Sequence, residues 1–401
     1  MEIRPILASL RRHRIPALLI VLEIALACAV LCNAVFMIGQ RVADIHMRNA
    51  IDEQGISVIS LNGADPARAG SDIPRNLAAL RGVAGVTAVA VTTGMPLDTN
   101  AALMGFTTTS EGKSNVNTAE YFLGSGGEQA LGLHLLQGRY FNTDEYANSD
   151  LKGFQSTGHA MLITLSDAQR LWPGQSALGK LLYSDNASWT VVGVVADVLA
   201  QEPAFSGGDG RYSSVFFPLR PQVALNDYVL RSAPRDRDRI VREAVQVLGK
   251  LEPSGVVGGK TYTAMREDYF ADTSSMVWML VLVCVVMLAV TVFGIVGLTS
   301  FWVQQRRRQI GIRRAVGATR GHILSYFRTE NFLLSTAGVL AGMALAFGIN
   351  LYLMTHYEMS RMPWYYLPCS AIALWLLGQL AVLGPALRAA AVPPVVATRS
   401  V

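Results

Sequence analysis

Charged side chains are scarce in this sequence of 401 residues, of which only 16% are Asp, Glu, Lys or Arg. Hydrophobic residues make up 51%, and the mean hydropathy is positive at +0.32. An ordinary soluble protein has about 25% charged residues and a smaller apolar share. The composition therefore argues against an ordinary soluble protein and indicates a membrane protein.

The formal net charge is +5, but the basic excess is not spread along the chain. Residues 41–275 contain 20 Lys and Arg against 25 Asp and Glu, which leaves 14 against 4 for the remainder. The long middle region thus lacks the basic surface that a nucleic-acid partner requires. The positive charges instead flank the apolar runs, as in membrane proteins, and we predict no nucleic-acid partner.

Cysteine is rare as well, and residues 41–275 have none. This absence excludes a disulfide framework or a thiolate metal site from the middle region. The four cysteines of the chain lie in or beside apolar runs, where we expect buried free thiols that pack as small hydrophobes: Cys28, Cys32, Cys284 and Cys369.

The histidines of the middle region, His46, His134 and His159, lack the HxxxH or HxH spacing of a metal site. No constellation of nucleophile, base and acid is visible either. We therefore predict a non-catalytic chain with no metal ion and no cofactor of its own.

A complete nucleotide-binding phosphate loop is also missing. The stretch Ser254–Thr261, SGVVGGKT, ends like one, but Ser254 occupies the position of its first glycine. The stretch also contains a strand-like run, whereas a phosphate loop opens a helix whose amides face the phosphates. ATP binding by this chain is therefore not expected.

Four apolar runs are each long enough to cross a bilayer, which takes about 20 helical residues. Basic residues near their ends place both termini on the cytoplasmic side. The predicted fold is a membrane protein with four transmembrane α-helices and a large extracytoplasmic α+β domain on helical stalks. The predicted boundaries are 1–40 for the cytoplasmic N-terminus and first helix, 41–275 for the extracytoplasmic (periplasmic) domain, 276–303 for the second helix, 304–323 for a cytoplasmic basic segment, 324–354 for the third helix, 355–368 for an outer loop, 369–387 for the fourth helix and 388–401 for a cytoplasmic tail.

Two features inside the apolar runs predict contacts. Glu23 is the one charge of the first run, and a proton relay, an interhelical pair and a protonated carboxyl all remain open for it. Gly338 and Gly342 form a GxxxG motif that permits close packing against another subunit or a neighbouring helix of the same chain. Alternatively, the glycines only reflect the usual composition of membrane helices.

The extracytoplasmic domain has two similar ends. Strand-like runs Ile56–Leu61 and Val86–Thr92 flank one helical stretch, and runs Asp227–Ser232 and Val256–Tyr262 flank another. We expect these two β-α-β halves to form one α+β subdomain. The insert at about 95–221 is predicted to be a second, mostly β subdomain.

Two polar stretches without Pro or Gly, Gln40–Glu53 and Ala264–Ser275, join this domain to the apolar runs on either side. Proline and glycine are the residues that most often interrupt a helix. We therefore predict that both stretches continue the membrane helices outward as stalks.

The segment Gln304–Ile323, QQRRRQIGIRRAVGATRGHI, contains six arginines and no acidic residue. Ile312, Val316 and Ile323 recur at helical spacing and predict a thin apolar stripe on a cationic helix, which Gly317 can end. The pattern indicates a docking surface. A solvated loop that only fixes topology or contacts anionic membrane lipids is the alternative.

The run I-G-I-R-R-A-V-G-A-T-R-x-x-I in this segment resembles the signature of MacB/FtsX-like permeases of ABC transporters. The phrases AQRLWPGQSALGKLL, VVGVVADV and SVFFPL, and the ending PALRAAAVPPVVA, are similar to that family too, so the resemblance covers nearly the whole chain. It implies a permease of the type VII, mechanotransmission class. In that class the basic segment holds the coupling helix that contacts the ATPase.

The resemblance also implies specific residues and partners. Gln309 departs from it, because the family usually has Glu there and this chain lacks a carboxylate that could pair with an ATPase arginine. The implied partners are a dimer of ATPase subunits that binds ATP and magnesium, a second copy of the permease or a related one, and a periplasmic adaptor with an outer-membrane channel. The residues that the resemblance assigns to ATPase coupling are Arg308, Ile310, Ile312, Arg313, Val316, Arg320 and Ile323.

The implied function is that of a permease subunit in the bacterial inner membrane that turns ATP hydrolysis in a separate subunit into movement of its periplasmic domain. Peptides, antibiotics, toxins or lipoproteins would be exported. The few intramembrane charges and the absence of a broken-helix pair argue against an alternating-access pore. The alternatives are an FtsX-like sensor or scaffold that signals to extracytoplasmic partners, and a membrane-anchored enzyme.

Overall fold

A computed structural model describes residues 14–98, 103–110, 116–152, 155–184, 187–201, 208–220, 227–357 and 361–391. The chain divides into two compact units. Residues up to Ile45 and from Thr273 onward form the membrane unit, and His46–Asp272 form the second unit. The predicted N-terminal basic residues before Arg14 and the tail beyond Ala391 lie outside the described residues.

The helices account for most of the membrane unit and flank the sheet of the second unit. Their bounds are α1 Arg14–Ile45, α2 Ala69–Arg81, α3 Gly127–Leu131, α4 Thr143–Ala147, α5 Leu165–Leu171, α6 Arg237–Leu251, α7 Tyr262–Tyr269, α8 Ala271–Gln305, α9 Arg307–Ala315, α10 Arg320–Tyr357 and α11 Tyr366–Ala390.

Helices α1, α8, α10 and α11 are long and apolar enough to cross a membrane. Their most apolar stretches have mean hydropathies of 2.7, 3.1, 2.0 and 1.8. At 1.5 Å per residue, even the 25 residues of α11 span more than the hydrocarbon core of roughly 30 Å. The four predicted spans are therefore present as helices.

Each of these helices extends past its apolar run, but the stalks differ from the prediction. The stretch after α1 is helical only to Ile45 and not to Glu53, and the returning stretch is interrupted at Phe270, between α7 and α8. Absence of Pro and Gly permits a helix without enforcing one. Polar residues outside a membrane find hydrogen-bond partners in water and in the neighbouring domain.

Helices α1 and α10 pack closely because the two glycines of the GxxxG motif face α1. A Cβ added at Gly338 would lie 2.8 Å from Cβ of Ile24, and one at Gly342 would lie 2.7 Å from the carbonyl oxygen of Ala25. The Asn33 side chain of α1 donates a hydrogen bond to the Ala346 carbonyl at 3.2 Å. Of the two packing partners that the motif left open, the structure shows the neighbouring helix.

Glu23 lies across a helix interface as well. A Cβ added at Gly294 of α8 would overlap with its carboxylate oxygens, so this carboxylate occupies the space that the glycine leaves. The structure thus places Glu23 at a contact between α1 and α8, and its role there stays a prediction.

In the described residues of the second unit, eleven strands form a mixed sheet and two more form a separate two-stranded sheet. Their bounds are β1 Ile56–Asn62, β2 Val86–Thr92, β3 Leu103–Phe106, β4 Val116–Leu123, β5 Leu135–Gly138, β6 Leu151–Lys152, β7 Gln155–Ser156, β8 Ala160–Thr164, β9 Leu181–Ser184, β10 Ala187–Val195, β11 Ser214–Pro218, β12 Asp227–Ser232 and β13 Val256–Thr261. Along the main path of the larger sheet the order is β13-β1-β12-β2-β4-β11-β8-β10-β5, and β6 and β7 pair in the two-stranded sheet.

The two β-α-β halves interleave as antiparallel strands in the order β13-β1-β12-β2. Val58 of β1 lies opposite Val229 of β12 and Lys260 of β13. Helices α2 and α6 pack on one face, where Leu77 and Leu248 share a core with Ile59. The two halves therefore form one α+β structure, as the sequence predicts.

The insert is not a separate sheet, which corrects the prediction of a second subdomain. Strand β4 joins β2 through the pair Thr92 and Leu123, so the insert continues the same sheet. The hydrophobic core is also continuous, because Val91 of β2 and Val215 of β11 belong to one buried cluster.

The stretch that ends like a phosphate loop folds as β13. Its residues pair with β1 from Ser57 to Asn62, so its backbone amides belong to a sheet and not to a phosphate cradle. Lys260 forms an ion pair with Asp268 of α7.

Three of the four cysteines are buried in the membrane helices, as expected, whereas Cys369 at the start of α11 is exposed. Within the described part of the chain, no group of three or more His, Cys, Asp and Glu side chains is arranged to hold a metal ion.

Asp167 and Glu120 are two of the buried carboxyl groups of the second unit, and their surroundings differ. Asp167 accepts hydrogen bonds from the hydroxyls of Ser213 at 2.7 Å and Thr164 at 3.3 Å. Glu120 on β4 is 2% exposed, and its Oε1 has no hydrogen-bond partner among the described residues. Burial raises the pKa of Glu120 to about 8.

Glu120 should therefore make the unfolding free energy fall with rising pH. Because the pKa of the folded state exceeds the unfolded value of 4.5, the stabilisation from this group is complete below about pH 4.5 and is lost as pH rises through about 8. Glu120→Gln removes that titration. We expect the variant to gain on the order of 4 kcal/mol relative to the parent between pH 5 and pH 9.

The measurement is thermal unfolding of both full-length chains in detergent across that pH range. Both chains keep Asp167, whose pKa burial raises to about 7, so this group cancels in the difference. Parallel pH curves for the two chains would show that folding does not raise the pKa of Glu120.

Candidate coupling surface

The basic segment between α8 and α10 folds as the short helix α9 with a defined break at each end. At its start, Arg306 lies between α8 and α9 and is not part of either helix. At its end, Gly317 has a φ of +104°, which is a left-handed conformation that suits glycine. The amides of Gly317 and Ala318 donate to the carbonyls of Arg314 at 3.2 Å and Arg313 at 3.0 Å. This is the Schellman arrangement, and it shows the helix end that Gly317 predicts.

The predicted apolar stripe is split by this break. Ile310 and Ile323 are only 5% and 4% exposed and lie in the buried core of the membrane unit. Ile312 and Val316 are 49% and 84% exposed. Ile323 belongs to α10, which begins after the break at Gly317. It is therefore not on the surface of α9.

The exposed side of α9 has its own regular spacing. Arg308 and Ile312 of α9 and Val316, the residue directly after it, follow one another at intervals of four residues, and all three are exposed. We call these three residues the docking face. Arg313 and Arg320 are exposed nearby in the sequence, and the Arg313 guanidinium lies 5.2 Å from the Tyr326 ring centroid.

Sequence reasoning missed an ion pair that fixes the start of this segment. The Arg306 guanidinium donates from Nη1 to both carboxylate oxygens of Glu330 on α10, at 3.2 and 3.4 Å. The pair is buried, since Arg306 is 9% and Glu330 is 2% exposed. A signal was available, because Glu330 is the single acidic residue between 304 and 357.

Gln309, the departure from the family motif, is exposed on α9. A carboxylate from the next helix nevertheless pairs with this segment, because Glu330 of α10 forms an ion pair with Arg306.

In the second unit, the incoming and outgoing chains are tied together at one place. Arg266 of α7 forms an ion pair with Glu53 at 2.8 Å and donates to the Met47 carbonyl at 2.6 Å. The Asn49 amide donates to the Tyr262 hydroxyl at 3.2 Å. These contacts join the residues that follow α1 to the residues that precede α8.

Models of two protein families match the chain. The MacB-like periplasmic core domain matches residues 20–255, and the FtsX-like permease C-terminal domain matches residues 281–394. The chain belongs to the MacB/FtsX-like permease family. Its predicted family and fold class are thereby confirmed: it is a membrane protein with an extracytoplasmic domain, which is the second unit.

Curated relatives of this MacB/FtsX-like chain are longer. It is 26% identical over 296 residues to the macrolide export ATP-binding/permease protein MacB of Chromobacterium violaceum, covering 70% of this chain and 43% of that protein. It is 28% identical over 192 residues to the pyoverdine export ATP-binding/permease protein PvdT of Pseudomonas aeruginosa, covering 45% and 28%. The chain thus spans less than half the length of these relatives.

Solved structures similar to the second unit include the periplasmic region of MacB from Actinobacillus actinomycetemcomitans. The similarity covers 54% of this chain and 92% of that one, with 13% identity and a TM-score of 0.38.

Proposed function

We propose that this chain is the permease subunit of an ABC exporter and that its docking face contacts a dimer of ATPase subunits. The observation that carries the proposal is an exposed cationic helix with uncovered Ile312 and Val316, held between two membrane helices. An apolar side chain exposed on a basic surface is suited to a protein contact in which both charge and burial contribute.

ATP and magnesium are assigned to the partner. The sequence has no complete phosphate loop, and its closest approximation is the sheet strand β13. The relatives carry both an ATP-binding and a permease function in their names, which supports an ATPase partner for the permease part. On this account the chain itself is not an enzyme and binds no cofactor.

The proposed work takes place outside the bilayer. Closure of the ATPase pair would displace the docking face, and the membrane helices would pass that displacement to the extracytoplasmic unit. The ion pair of Arg266 with Glu53 suits this role, because it joins the segment that follows α1 to the segment that precedes α8.

The proposed setting is the bacterial inner membrane, with both termini and the docking face in the cytoplasm. A second permease copy or a related permease would complete the complex, and a periplasmic adaptor with an outer-membrane channel would accept the cargo. Peptides, antibiotics, toxins or lipoproteins are the proposed cargo classes, in line with the export named for the relatives.

The proposal is tested by purifying the chain from its own host in mild detergent and identifying bound proteins by mass spectrometry. We expect a stoichiometric ATP-binding protein, together with ATP hydrolysis that is absent when the chain is purified alone. Recovery of a cell-wall hydrolase without any ATP-binding protein would contradict the exporter and favour the sensor or scaffold.

A further inference from the structure

The buried pair of Arg306 and Glu330 lies where the basic segment meets the membrane helices. Arg306 occupies the break between α8 and α9, and its guanidinium also lies 5.6 Å from the ring centroid of Trp302 on α8. Glu330 belongs to α10. One ion pair therefore connects the end of α8 and the start of α9 to α10.

Helix α9 has other contacts as well, among them the Arg313 guanidinium at 5.2 Å from the ring centroid of Tyr326 on α10. Its buried residues are Ile310 and Gly311, and non-helical residues bound it on both sides. A nine-residue cationic helix of this kind has little intrinsic stability, because isolated helices shorter than about 12–15 residues are marginal in water. Its position must therefore come from contacts, and the ion pair of Arg306, next to its first residue, with Glu330 is a buried one.

A buried ion pair is weak evidence for stability, because desolvation offsets much of the attraction. It nevertheless joins two different segments, since both oxygens of Glu330 on α10 accept from Nη1 of Arg306. Removing one partner leaves a buried charge without its counter-charge, which disturbs the position of the remaining groups. Such a pair is suited to fixing one helix against another.

Helix α10 connects this pair to the rest of the membrane unit. Asn331, next to Glu330, donates to the Gly378 carbonyl of α11 at 3.0 Å. Further along α10, Gly338 and Gly342 pack against α1. A displacement that reaches Glu330 thus reaches α11 and α1 through close contacts.

We propose that the Arg306–Glu330 pair is a positioning link that passes displacement of the docking helix α9 into α10, and from α10 into α1. The inference rests on the proposed function, since it concerns the same coupling segment. It makes α10, the third membrane helix, part of the path from the docking face to the extracytoplasmic unit.

The attachment is tested first without any ATPase. A nitroxide at Ala315→Cys, in a Cys369→Ser background and in lipid nanodiscs, reports the mobility of α9, where Ala315 is exposed. We expect Glu330→Gln and Arg306→Gln to convert the immobilised spectrum into a mobile one. Arg306→Lys should keep part of the immobilised component because it retains the charge.

Arg307→Gln is the matched control, since it removes the same charge from an exposed neighbour. It should leave the spectrum unchanged. A second nitroxide at Leu376 on α11, which is 53% exposed, shows whether each variant keeps its fold. Unchanged mobility at Ala315 in both Glu330→Gln and Arg306→Gln would overturn the proposal.

The second experiment uses the complex with the co-purified ATPase. The distance between nitroxides at Val290 on α8 and Leu340 on α10, both exposed, is measured without nucleotide and with ATP and vanadate. We expect a shift in the parent and in Arg307→Gln, and loss of that shift in Glu330→Gln with the ATPase still bound. An equal shift in Glu330→Gln would overturn the link while leaving the proposed function intact.

Failure of the proposed function has a different signature. No ATP-binding protein would then co-purify with the parent, and the link to α10 would be decided by the mobility of α9 alone.

Discussion

Replacing Val316 with Asp is expected to abolish recovery of the ATPase with this chain while leaving insertion and folding unchanged. Val316 is 84% exposed, so the substitution disturbs no internal packing. Burying a valine against a partner contributes about 1.5–3 kcal/mol, and the new carboxylate would be desolvated in the contact as well. At about 1.4 kcal/mol per decade, binding should weaken by roughly two decades or more.

Two control substitutions separate docking from general damage. Val316→Leu keeps an apolar side chain and should retain the ATPase. Val256→Asp places the same charge on the extracytoplasmic unit, where Val256 is 72% exposed, and should also retain it. Equal recovery of the ATPase with Val316→Asp and the parent, at matched expression, would refute the docking face and support a loop that only fixes topology.

The second large effect is expected from Gly342→Leu, which should prevent α1 and α10 from packing. An added Cβ would overlap with Cβ of Cys28 and lie 2.7 Å from the Ala25 carbonyl oxygen. These atoms belong to or adjoin the backbone, so α1 itself would have to move. Overpacking a tight contact costs about 1–3 kcal/mol, and more where the backbone must shift.

Gly348→Leu is the matched control on the same helix, because no atom lies within 4 Å of a Cβ at that position. Thermal unfolding followed by size-exclusion chromatography in detergent measures the difference. We expect a clear loss of monodisperse protein for Gly342→Leu and none for Gly348→Leu. Equal melting temperatures would mean that the two helices are not in close contact in the membrane.

The local elements of this fold could be predicted from the sequence because their signals are local. Strand β12 has the predicted bounds of Asp227–Ser232, since a short apolar run between polar residues specifies both ends. The end of α9 at Gly317 was likewise predictable, because glycine tolerates the positive φ that a helix end of this type requires.

The remaining features depend on contacts between distant parts of the chain. The insert joins the sheet through the pair Thr92 and Leu123, and the local sequence around these residues does not indicate that they pair. The predicted apolar stripe includes Ile323 because its helical spacing continues in the sequence past Gly317. In the structure α9 ends before Gly317, and Ile323 belongs to α10.

The ion pair between Arg306 and Glu330 could be predicted from the sequence only in part. The sequence makes Glu330 conspicuous as the lone acid of its region, but seven arginines lie between 304 and 357 as candidate partners. Only the fold of the break between α8 and α9 selects Arg306.

The most direct measurement of the central claim is site-specific photocrosslinking from the docking face in living cells. A photoreactive amino acid replaces Val316, and a matched control replaces the exposed Val256 of the extracytoplasmic unit. The account predicts that irradiation joins the Val316 position, and not the Val256 position, to an ATP-binding protein. Abundant crosslinks from Val316 to lipid or to other proteins, with no ATP-binding protein among them, would contradict it.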